Sequence, residues 1–219
     1  MEENPTEFLT FLFVNSGPSL RQWAQAYYDT GFDLISYVPP REHRHGRTRI
    51  EDWPTVEEMV KSGKRAVTFL SRGAREWRVP YLLNEFDYMF EVRDLTSHRS
   101  IDEGDQTDKA ATQTDFSNYH PSPSFPCVPN RPHNRFPPTA PIPNRLTFVN
   151  HFLYGKLFGF PYPYAQAANH TNGPGFGAGE LGEHAARCRT LYGRRPNFFL
   201  VDFFNEGDVW KVEAGMNRK

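Results

Sequence analysis

Three observations in the sequence predict one α/β domain built on parallel strands. The chain has 219 residues, within the ~100 to 250 typical of a single α/β domain. Short apolar runs recur between polar residues, as buried parallel strands do. Between them lie segments whose apolar residues fall at helical spacing.

Taken in order, Phe8 to Val14 reads as a buried strand that enters the loop Asn15-Ser16-Gly17-Pro18. Pro18 suits a first helical turn, Leu20, Trp23, Ala24 and Tyr27 give one helix face, and Gly31 stops the helix. Thr55 and Glu58 then have the spacing of a capping box, ahead of a face of Val56, Met59 and Val60 that ends at Gly63. Arg65 to Leu70 follows as a strand, and Tyr81 to Phe90 is an apolar segment open to either helix or strand. Residues 92–144 turn polar and then proline-rich, from Pro121 to Pro143, and are expected to form one long loop, partly disordered. Leu146 to Val149 and Phe198 to Val201 are again strand-like. The glycines from Gly173 to Gly179 match neither a P-loop nor a dinucleotide pattern, so they read as a flexible loop.

With 25 basic and 26 acidic residues the net charge is -1, so no global field recruits nucleic acid or an anionic membrane. A small polar or zwitterionic ligand fits better. No stretch approaches the ~20 apolar residues of a membrane span, and Met1-Glu2-Glu3-Asn4-Pro5 lacks the basic start of a secretory signal. His43 and His45 sit in a basic run without cysteine or acidic partners at ligand spacing, so no metal site is predicted. On spacing alone, Cys127 and Cys188 are equally consistent with one bridge or with two buried thiols.

Longer phrases carry a resemblance. Asn4-Pro5-Thr6-Glu7, Trp53-Pro54-Thr55, Gly63-Lys64-Arg65, Phe69-Leu70, Val79-Pro80-Tyr81 and Glu85-Phe86 come first. Cys127 with Asn130-Arg131-Pro132, Val149-Asn150-His151-Phe152-Leu153, Gly193-Arg194, and Pro196 to Phe203 follow in the same order. Together they resemble the fungal branch of the PLC-like phosphodiesterases, the (β/α)8 barrel group related to phosphatidylinositol-specific phospholipase C. The resemblance implies a partial TIM-like barrel, its C-terminal half or more, spanning residues 1–219 as a single domain. It also implies cleavage of a lipid or glycerophosphodiester by a histidine pair, one acting as base and one as acid. Family members carry that pair on early barrel strands, and this chain opens at what reads as a middle strand. The pair and the N-terminal strands are therefore expected to be missing, which would leave the isolated chain inactive and strand Phe8 to Val14 free for self-association. The implied ligand is a small phosphodiester or phospholipid headgroup, with no cofactor assigned. A non-catalytic remnant or binding module for sugar phosphates or lipid headgroups is the alternative.

In such barrels reactive groups sit where strands end, which selects Asn15, Ser71, Asn150, His151 and Asp202. The resemblance gives Asp202 the role of a carboxylate that orients a catalytic histidine; a cap on its own loop, through Asn205 and Gly207, is an equal reading. His151 either touches a ligand phosphate or is a hydrogen-bonded structural residue. Ser71 stands where the family shows aspartate, and Arg72 beside it is a candidate phosphate contact. The positions of Cys127 and Cys188 beside family phrases imply a bond between them, closing a loop worth ~4 kcal/mol on loop entropy.

Overall fold

The computed structural model describes residues 3–92, 125–132, 142–158 and 160–218. Most of the loop expected over 92–144 lies outside them. The chain divides into two compact units, Met1–Phe90 with Ile142–Leu146, and Glu91–Pro141 with Thr147–Lys219.

The first unit opens with β1 (Leu9–Phe13), α1 (Leu20–Asp29), the short α2 (Phe32–Ile35), α3 (Val56–Lys61) and β2 (Ala66–Leu70). β3 (Leu82–Asn84) and the single turn α4 (Glu85–Tyr88) follow, and residues 89–90 and 142–146 also belong to it. Strand β2, buried at all five residues, lies between β1 and β3, and both pairings are parallel. Helix α1 starts at Leu20, after an N-cap at Ser19 whose side chain accepts from the amide of Gln22 while Gln22 returns a bond to the Ser19 amide. Pro18 therefore precedes the helix instead of entering it, because the reciprocal cap sets the first turn. The expected box at Thr55 and Glu58 is present, and Gly63, at φ 76°, turns the chain out of α3 toward β2. Tyr27 is the one buried residue of α1; its hydroxyl meets Thr68 Oγ1 of β2 at 2.6 Å, and its ring packs with Leu70, Val79 and Leu82. The ambiguous segment 81–90 resolves as strand, turn and strand. β1 pairs only with β2, so its outer edge has no strand beside it among the described residues.

The second unit holds Glu91 and Val92 of β4 (Met89–Val92), β5 (Pro129–Arg131), and residues 147–150 of β6 (Leu146–Asn150). The hairpin β7 (Tyr154–Leu157) and β8 (Phe160–Pro163), the turn α5 (Ala168–Thr171), α6 (Leu181–Tyr192), β9 (Phe198–Leu200) and α7 (Val209–Asn217) follow. The order β5-β4-β6-β9 makes one sheet, with β6 parallel to β9 and Glu91 opposite Arg131 in an antiparallel pair. Leu181 and Ala185 of α6 pack with Val212 of α7 and, from beside them, Phe199 and Val201. The architecture is mixed α/β, and among the described residues no sheet closes into a barrel.

Candidate functional site

Strand β6 delivers two polar residues into the interior at its C-terminal end. Asn150 donates from Nδ2 to Glu91 Oε2 at 3.0 Å and to the carbonyl of Val92 at 3.0 Å. Glu91, only 5% exposed, also receives Arg131 Nη1 at 3.0 Å on Oε1, so the buried carboxylate is matched by a guanidinium and an amide. Asn150 thus ties the end of β6 to β4.

His151 is fully buried. Its Nε2 donates to the carbonyl of Thr171 at 2.7 Å, and its Nδ1 stands 3.0 Å from Nδ1 of His184, another fully buried imidazole, on α6. Nε2 of His184 faces the carbonyl of Pro126 at 3.3 Å. The ring of Phe125 packs on both, with centroids 4.0 Å and 5.3 Å away. Burial pushes both histidines well below the usual imidazole range; for His184 the charge tendency of His151 and the Arg187 guanidinium push the same way. One turn along α6, Cys188 is joined to Cys127 by a disulfide whose Cα atoms are 5.3 Å apart. Tyr192 adds a hydroxyl bonded to the carbonyl of Cys127.

Asp202 follows β9. Its carbonyl accepts from Asn172 Nδ2 at 2.9 Å, and the same amide donates to the carbonyl of Phe203 at 3.0 Å. Asn172, 1% exposed, also accepts from the amide of Asp208, so the loop after β9 is folded around it. Gly207, at φ 72°, passes so close that a Cβ there would lie 2.7 Å from Cβ of Asn172. The carboxylate of Asp202 makes no hydrogen bond to Asn205 or Gly207 among the described residues. Its Oδ2 is buried without a partner, and burial raises its pKa. A crevice of about 10 Å³, the size of one water site, opens beside it between Tyr164, Asn172 and Phe203.

Asn15, Ser71 and Arg72 lie in the first unit and fasten to one another. The amide of Asn15 donates to Ser71 Oγ at 3.0 Å, Arg72 Nε donates to the carbonyl of Asn15 at 2.6 Å, and Asn15 Nδ2 donates to the carbonyl of Arg72 at 3.1 Å. They close the C-terminal ends of β1 and β2 over each other.

The glycine stretch is organised by an anion from the chain itself. The carboxylate of Glu180 accepts from the amide of Gly177 at 2.7 Å, and a Cβ at Gly173, Gly175 or Gly177 would fall within 2.7 Å of that carboxylate. The loop needs its glycines to wrap Glu180. Sequence reasoning missed Asn172 and His184, whose partners lie far along the chain, and Glu180, which sits three residues from Gly177 in a stretch that matches no known glycine pattern.

The PI-PLC X family model matches residues 1–117 and 122–217. The chain belongs to the PI-PLC X family. It is 30% identical over 220 residues to "PI-PLC X domain-containing protein 1" of Arthroderma benhamiae, covering 99% of this chain and 61% of that protein. It is 29% identical over 227 residues to an "Uncharacterized secreted protein" of the same fungus, covering 99% of this chain and 44% of the relative. The chain thus spans about half the length of the curated relatives it matches. No solved structure matches it. No helix of the described residues is long and apolar enough to cross a membrane.

Proposed function

We propose that this PI-PLC X chain supplies the C-terminal part of a phosphodiesterase site, in which Asp202 orients a catalytic histidine borne by strands outside this sequence. The observation that carries the reading is the unpartnered, buried Oδ2 of Asp202, an acceptor with no donor among the described residues. A carboxylate in that state is one hydrogen bond short of satisfied, and an imidazole N–H is the donor that a general base or acid would present. The fold of the reading is one partial TIM-like barrel domain, and the parallel pairs β1-β2-β3 and β6-β9 support it. The substrate class is a phosphodiester with a lipid or glycerol substituent. His151 is not a substitute base, since both its ring nitrogens are engaged in the interior.

The test is hydrolysis of phosphatidylinositol and of glycerophosphodiesters by the chain alone and by the chain with its in-frame upstream coding segment. Activity is expected only in the longer protein and should fall ~10² to 10⁴-fold on Asp202→Asn, the scale of a mispositioned acid or base. Activity of the short chain, or a longer protein indifferent to Asp202→Asn, would overturn the reading.

A further inference from the structure

Around the disulfide the second unit gathers more donor atoms than a covalent bridge needs. The two sulfurs and a ring nitrogen of His184 all lie within 4.8 Å of one another, and all three residues are buried. His184 and Cys188 are four residues apart on α6, hence on one helix face. Cys127 comes to them from the segment before β5. With zinc bonds of about 2.3 Å to sulfur and 2.0 Å to nitrogen, the donors around one tetrahedral ion stand roughly 3.3 to 3.8 Å apart. That spacing is within reach of this cluster once the sulfurs separate. His184 is fully buried, an imidazole binds metal in its neutral form, and no acidic residue is in the set.

We infer that Cys127, Cys188 and His184 form a zinc site when the Cys127–Cys188 bond is reduced, so that the segment before β5 is fastened to α6 by a disulfide in oxidising surroundings and by Zn²⁺ in reducing ones. A dithiol donates two electrons and two protons. Its own sulfurs become a disulfide, the Cys127–Cys188 bond breaks, and each sulfur becomes a thiol. Zn²⁺ then displaces both thiol protons to solvent and is held by two thiolates and the neutral imidazole of His184, with a water in the fourth position.

The full chain would be prepared in oxidised form and in the presence of a phosphine reductant, and each form titrated with Zn²⁺ against a chromogenic chelator. The reduced chain is expected to withhold about one equivalent and the oxidised chain less than about a tenth of that, since only the reduced sulfurs can become thiolate ligands. Co²⁺ should give the intense d–d bands of a tetrahedral thiolate site, which an ion on an unfolded chain lacks. His184→Gln and the double variant Cys127→Ser/Cys188→Ser should each lose the tetrahedral spectrum. The inference is overturned if the reduced chain binds no more zinc than the oxidised one, or if His184→Gln retains wild-type zinc and cobalt signals. It is equally overturned if reduction abolishes near-UV dichroism and zinc fails to restore it. None of these readouts involves hydrolysis, so they stand apart from the role of Asp202.

Discussion

Nδ1 of His151 faces Nδ1 of His184 across 3.0 Å, with a backbone carbonyl beyond each far nitrogen. Carbonyls only accept, so the row has three contacts and needs three hydrogens, whereas two neutral imidazoles bring two. The longest contact, His184 Nε2 to Pro126 at 3.3 Å, is the one left without a hydrogen. Adding the third proton would complete the row but place a cation among Phe125, the disulfide and the Arg187 guanidinium, and burial decides against it.

Stability should therefore depend on pH with a defined sign. Both histidines have pKa values lowered by folding, so the unfolded chain takes up protons first as pH falls through about 6.5. The stabilisation is complete above that value and is lost progressively below it. Urea denaturation at pH 7.5 and pH 5 should differ by at least about 1 kcal/mol, less at the lower pH, and His184→Gln should flatten the dependence. Equal stability at both values would contradict the buried neutral pair.

Removing the cation from Glu91 should be costly. Arg131→Met leaves a buried carboxylate with Asn150 as its one side-chain partner among the described residues, and breaking such a pair costs up to ~3 to 5 kcal/mol; the partly exposed guanidinium places this case near ~2. The matched double variant Glu91→Leu/Arg131→Met should recover much of the loss in thermal unfolding.

Asp202→Asn should leave the short chain as stable as before or slightly more so, by up to about 1 kcal/mol, because it removes a half-buried charge that lacks a donor. Destabilisation beyond that in chemical denaturation would mean that the carboxylate holds its own loop together.

Glu180→Ala should loosen residues 173–179 without unfolding the second unit. Hydrogen exchange at Gly177, whose amide donates to Glu180, should rise roughly tenfold, the equivalent of ~1.4 kcal/mol of lost local protection.

The side of β1 that has no strand beside it among the described residues should promote self-association. Thr10, exposed on that strand, replaced by Lys should shift the chain toward monomer in size-exclusion chromatography. A wild-type chain that is already monomeric, with its β1 amides protected, would mean that the edge is covered.

Much of the first unit was legible because its signals are local. Thr55 with Glu58 marks α3, and the apolar runs around Leu9–Phe13 and Ala66–Leu70 mark parallel strands whose pairing follows from burial. Helix α6 was not, because its buried face is Leu181, Gly182, His184, Ala185, Cys188 and Tyr192, too mixed in polarity and size to show an apolar stripe. The candidate site was half visible. Asn150, His151 and Asp202 stand at strand ends, where the chain direction alone places them. Their partners Glu91, His184 and Asn172 lie 59, 33 and 30 residues away, and no spacing rule reaches that far.

The parallel strands also set the order in which the chain can fold. Leu9 meets Ala66 and Phe148 meets Phe198, so neither pair forms until some fifty residues of chain have been brought round. Closing such loops is an entropic toll collected before any strand contact repays it, and it grows only slowly with length. The capped helices α1 and α3 can form early, while the interior apolar face of β2 waits for both neighbours. During that interval Val67 and Phe69 are available to other chains, so the yield of folded protein should fall with concentration during refolding well before its final stability changes.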